Sequence, residues 1–118
     1  MTIDKRRIGD ITILDLAGKL TIGDGAEILR DTVASIVFQG EKQVVLNLAG
    51  VPYMDSGGLG ELVRCSMVAR KAGGAVKLVN LTNKISDLLA ITKLLSVFDT
   101  FDSEAQALAS FATMPAAQ

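Results

Sequence analysis

The chain has 118 residues and a formal net charge of −1, with 49% of its residues apolar and 4% aromatic. That size suits one compact domain with an aliphatic core, and the near-zero charge offers no global field for nucleic acid or an anionic membrane. One cysteine and no histidine exclude an internal disulfide and remove the commonest general base and metal ligand, and with no acids clustered at ligand spacing they argue against a structural zinc site.

Ile3–Ile8 and the run Ile11–Leu16 flank Gly9-Asp10 and predict a β-hairpin. Lys5-Arg6-Arg7 lies between Asp4 and Asp10, as a solvated surface does, and does not form a nucleic-acid patch. Gly18 ends the hairpin, and Leu20-Thr21-Ile22 leads into Gly23-Asp24-Gly25. From Ala26 to Phe38 the period becomes helical. Leu29, Val33, Ile36 and Val37 share one face, Glu27, Arg30 and Asp31 lie towards the other, and Gly40 stops the helix.

Val44–Leu48 is a nearly continuous apolar run, the pattern of a buried strand. The loop Ala49–Asp55 follows, kept non-helical by Pro52. A second helix is predicted over Ser56–Ala72, with Leu59, Leu62, Val63 and Met67 inside, Glu61, Arg64, Val68 and Lys71 outside, and Cys65 at the flank of the core. Gly73-Gly74 ends it, and Val76–Val79 is the next strand. Thr82 or Asn83 caps a third helix to Ile91, Val97-Phe98 is a short strand, and Asp102 or Ser103 caps a last helix through Ala112. Alternating strands and helices at short spacing predict an α/β fold: a single domain over residues 1–113, with a mixed, mostly parallel sheet of about five strands covered by about four helices. Met114–Gln118 reads as a loose tail. No apolar run reaches the ~18–20 residues that span a bilayer, and no apolar leader follows Met-Thr-Ile-Asp-Lys, so the expectation is a cytoplasmic protein.

The stretch Tyr53-Met54-Asp55-Ser56-Gly57-Gly58-Leu59-Gly60 carries the functional question. A nucleophile elbow needs glycine two residues before its serine, where Met54 stands, and a base, which a chain without histidine does not offer. No S-x-x-K spacing follows either, because Leu59 occupies the fourth place. The glycines open a helix after a strand, the right address for a phosphate, but they match neither a P-loop nor a dinucleotide fingerprint. A nucleotide-binding protein or enzyme is therefore disfavoured. Ser56 is expected to cap the helix, worth about 1 kcal/mol. Capping leaves Gly57 and Gly58 unexplained, since glycine costs up to about 1 kcal/mol there relative to alanine. Backbone without side chains around an exposed hydroxyl suits the close approach of another molecule and receipt of a phosphoryl group.

The same stretch, Tyr53 to Gly60, resembles the phosphorylation motif of the STAS family, specifically the bacterial anti-sigma factor antagonists. The resemblance extends to Gly18-Lys19-Leu20, the Val44–Leu48 strand, Gly73-Gly74 and Thr92-Lys93-Leu94. It implies that Ser56 is phosphorylated by a partner kinase, with Asp55 the acid beside it. That kinase would itself be the anti-sigma factor, binding ATP on its own chain, and a phosphatase would reset the cycle. The expected contact face is the turn Asp55, Ser56, Gly57, Gly58, Leu59, Gly60 with Glu61, Arg64 and Val68 of the helix. Thr21 and Asp24 would join it from the earlier loop. No enzymatic activity, cofactor or metal is expected of this chain, nor a nucleic-acid or membrane partner. Gly57 stands where the family usually has a second Ser or Thr, and Thr21 where many members have Asp, with Asp24 the nearest substitute. The competing reading is a STAS scaffold, as an accessory subunit of a lipid-transporting ABC system or of a stress-sensing assembly.

Overall fold

Strands β1 (Thr2–Ile8) and β2 (Ile11–Ala17) pair antiparallel around Gly9-Asp10, with Ile8 opposite Ile11 and Ile3 opposite Leu16. In the computed structural model, which describes residues 1–112, the chain then runs through α1 (Ala26–Phe38), β3 (Gln43–Gly50), α2 (Ser56–Lys71), β4 (Ala75–Val79), α3 (Asn83–Ile91), β5 (Asp99–Phe101) and α4 (Glu104–Ala112). The five strands lie in sequential order β1-β2-β3-β4-β5, and every pairing after the first is parallel. This is the mixed, mostly parallel α/β sheet predicted from the sequence, with four helices. The tail read at 114–118 lies outside the described residues.

Strand alternation assigns the two sheet faces. Leu14, Leu16, Val44, Leu46, Leu48, Val76 and Leu78 point to one side, where they meet Leu29 and Val33 of α1, Leu59 and Leu62 of α2, and Ile85 and Leu89 of α3. Ile13, Val45 and Val79 point to the other side and meet Ala107 of α4. Both faces of the central strands are covered, which is why β3 reads as continuous hydrophobe.

Three local expectations are corrected. The last strand is Asp99–Phe101 instead of Val97-Phe98. Phe98 is the anchor dropped into the core, and Val97 closes a turn by donating its N–H to Leu94, so hydrophobicity marked the segment beside the strand. Met67 is 52% exposed and does not line the inner face of α2. It lies five residues after Leu62, about 140° round the helix, whereas Cys65, Ser66 and Ala69 lie at inward angles and are buried. Cys65 is accordingly inside the main core, at 2% exposure, instead of at its flank.

Candidate functional site

Leu20 holds two loops together ahead of the second helix. Its N–H donates to the Tyr53 carbonyl (3.0 Å), its own carbonyl accepts from the Asp55 N–H (3.3 Å), and it bridges Met54 in parallel fashion. The β2–α1 loop is thereby laid along the β3–α2 loop. Thr21 turns that first loop: its carbonyl accepts from the N–H groups of Asp24, Gly25 and Ala26. Glu27 closes the turn by accepting from the Gly23 N–H at 3.0 Å.

Asp55, not Ser56, caps α2. Its Oδ1 accepts from the Gly58 N–H at 2.8 Å, while Oδ2 accepts from the Ile22 N–H at 3.1 Å. One carboxylate therefore satisfies an orphan donor of α2 and pins the neighbouring loop to it. These donors, Gly58 foremost, then Ile22 and Gly57, hold the Asp55 carboxyl below the ordinary carboxylate range, against an opposing desolvation that ranks second only to Gly58. The capping role assigned to Ser56 from sequence fell one residue late, because Asp and Ser are equally good caps and adjacent.

Freed from capping, Ser56 is the first residue of α2. It is exposed, and its hydroxyl makes no hydrogen bond among the described residues. The glycines after it also have a different reason from the one expected. A Cβ at Gly58 would collide with the Leu20 carbonyl, and one at Gly57 with the Ile22 side chain. These two glycines let the loops pack within the molecule. Of the three glycines in this turn, only Gly60 has open space where a Cβ would stand.

Of the residues expected at a contact face, Ser56, Gly60 and Arg64 are exposed, and Asp55, Gly57, Glu61, Val68 and Thr21 are half-buried. Gly58 and Leu59 are buried, so they support the turn from beneath. Thr21 sits in the loop that Asp55 pins, whereas exposed Asp24 turns to the Met1 amino group at 3.5 Å. Two neighbours were not assigned to the contact face from the sequence: Ile22, 68% exposed over Gly57, and Tyr53, 47% exposed just before the turn. An isoleucine stranded in the run Thr21-Ile22-Gly23-Asp24-Gly25 was the available signal for the first.

The described residues include no group of three or more possible metal ligands and no helix long and apolar enough to cross a membrane.

Residues 2–107 match the STAS domain family. The chain is 34% identical over 95 residues to the anti-sigma-B factor antagonist of Bacillus subtilis, covering 80% of this chain and 84% of that protein. It is 31% identical over 113 residues to BtrV of Bordetella bronchiseptica, covering 96% and 95%. Its fold superposes on the anti-sigma factor antagonist SpoIIAA in the unphosphorylated form with a TM-score of 0.73 at 18% identity, over 96% of this chain and 100% of that one. The phosphorylated form of SpoIIAA, from Bacillus, gives 0.72 at 18% identity, over 93% and 99%. The chain belongs to the STAS domain family, among its bacterial anti-sigma factor antagonists.

Proposed function

We propose that this protein frees a sigma factor by binding its anti-sigma factor, and that phosphorylation of Ser56 by that same partner ends the association. The observation that carries the reading is the exposed, unengaged Ser56 hydroxyl at the first position of α2, beside an Asp55 already committed to two backbone donors. Solved structures of SpoIIAA in phosphorylated and unphosphorylated forms fit such a cycle. The partner is a serine kinase that brings its own ATP, and a phosphatase restores the hydroxyl. This chain acts by binding, in the cytoplasm.

The physics of the switch is local. A phosphate adds about −1.5 to −2 charges at neutral pH. The positive end of the α2 dipole tolerates it, so the fold survives. A partner carboxylate about 6 Å away would be repelled by roughly 1–5 kcal/mol, and each ~1.4 kcal/mol is tenfold in affinity.

Affinity capture from the native extract tests this, with wild type, Ser56→Ala and Ser56→Asp as baits. A kinase-type anti-sigma factor should be held by the first two and lost from the third, and ATP should place one phosphate on Ser56 by mass spectrometry. If all three baits retain the same transporter or assembly subunits, the protein is a scaffold.

A further inference from the structure

Beyond the Ser56 turn, the outer side of α2 carries a groove of about 570 Å³ that begins at Gly57 and Gly60 and ends at Lys71. Its apolar wall is Val63, which also packs against the edge of the core, with half-buried Val68 and exposed Met67 further out. Met67 is half-exposed, and its flexible thioether is suited to adaptable docking. Arg64 and Lys71 stand on the rim, exposed, and neither makes an ion pair or side-chain hydrogen bond among the described residues. They are seven residues apart, about 10 Å along the helix.

The one acid in the lining, Glu61, is turned inward. Its side chain is 13% exposed, Arg30 reaches only to 3.9 Å from Oε1, and Oε2 is buried without a hydrogen-bond partner. Along α2 the groove therefore asks for two anions two turns apart, with apolar contact between them.

We propose that the groove takes an amphipathic helix of the anti-sigma partner, one that sets carboxylates against Arg64 and Lys71 and an apolar stripe against Val63, Met67 and Val68. The assignment rests on the partner-switching reading above and adds the chemistry of the surface that this partner presents. It also explains release. The lining holds two cations and one acid, and it starts at the residue next to Ser56. A phosphate of about −1.5 to −2 charges there turns the balance negative, so the field that attracts an acidic helix becomes one that repels it.

The test uses the purified kinase that Ser56→Ala retains and Ser56→Asp releases, titrated calorimetrically with the full-length chain. Arg64→Glu with Lys71→Glu should weaken binding roughly 100-fold, about tenfold per reversed charge, and the wild-type affinity should fall with added salt. Arg70→Glu, an exposed cation of α2 outside the lining, should bind within about twofold of wild type. Carboxylate-to-lysine changes in the partner helix should restore binding to the double variant. Thermal melts check that each variant is folded, and Arg64→Gln with Lys71→Gln gives an intermediate loss that no reversed charge can cause. Binding of the double variant within about twofold of wild type overturns the inference, as does an equal loss from Arg70→Glu. So does sedimentation showing that the reversals alter only self-association of this chain. If Ser56→Asp binds the kinase as wild type does while the double variant does not, the groove stands and the switch reading falls.

Discussion

The two faces of the sheet are built on different physics. Under α1, α2 and α3 lies a continuous aliphatic core, with Leu14, Leu46, Leu62, Leu78 and Leu89 fully buried. Under α4 the apolar cluster shrinks to Ile13, Val45, Val79 and Ala107 with partly buried neighbours, and polar groups do the joining. Arg6 of β1 grips Asp15 through Nε (2.6 Å) and Glu104 at the start of α4 through Nη2 (2.6 Å). Asn47 donates to Asp15 at 2.8 Å, and Asn80 donates to Asn47 at 3.0 Å. Buried Lys77 donates to Ser110 at 2.7 Å and lies over the Phe111 ring, 4.5 Å from its centre. The turn proposed to carry the function, Asp55 to Gly60, belongs to the first face. A recognition surface needs a floor that does not move, and close packing supplies one, whereas a helix of nine residues held by charges can be altered without disturbing it.

The sharpest way to break this comparison uses neighbours in one strand. Leu78 and Val79 of β4 are both fully buried but point to opposite faces. Leu78→Ala should cost about 2–5 kcal/mol by chemical denaturation. Val79→Ala should cost less, about 1.5–3 kcal/mol, for two lost methyl groups and a smaller cavity. Equal losses would mean that α4 packs as tightly as the other helices.

Gly58→Ala tests packing of the first face where it meets the site. The new methyl meets the Leu20 carbonyl, so a loss of about 1–3 kcal/mol is expected. Gly60→Ala, with open space around it, should be neutral or slightly stabilising, since alanine is the better helix former. If both are neutral by thermal melts, the loop junction yields more easily than its geometry implies.

Arg6→Ala probes the charged face. Arg6 is 43% exposed, so solvent screening limits the expected loss to about 0.5–1 kcal/mol at neutral pH. Arg6 first, and Asn47 after it, hold the Asp15 carboxyl below its ordinary range against desolvation. A carboxyl with a depressed folded pKa contributes stability above the unfolded value, near ~3.9, and loses it as pH falls through the folded one. The gap between wild type and Arg6→Ala should therefore be flat above about pH 5 and narrow in acid. A gap that widens in acid would contradict the ion pair.

The smallest effect concerns Cys65. Burial first, and the charge of Glu61 second, push its thiol up to about 12, with Arg64 opposing. Modification by a thiol reagent at neutral pH should be slow and should track global unfolding. Fast modification of the native protein would show that the α1–α2 seam opens.

Much of this was legible in the residues because period and punctuation are local properties. Ala26–Phe38 announces its helix by spacing, and Val44–Leu48 its burial by continuity. Likewise the Asp55-Ser56-Gly57-Gly58 run points to one serine on a helix start, and the structure places Ser56 there, exposed. What the chain alone left open were relations between segments distant in sequence. Nothing near residue 55 reveals that Ile22, 33 positions earlier, donates to the second oxygen of the carboxylate that caps α2. Nothing beside Gly57 and Gly58 reveals that Ile22 and the Leu20 carbonyl occupy the space their side chains would need. Met67 reads as core by its chemistry and lies outside by its angle, a choice settled only when α1 and the sheet took the positions of Cys65, Ser66 and Ala69. Hydrophobic period specifies which elements form, but which atoms share space is decided when the loops between them pack.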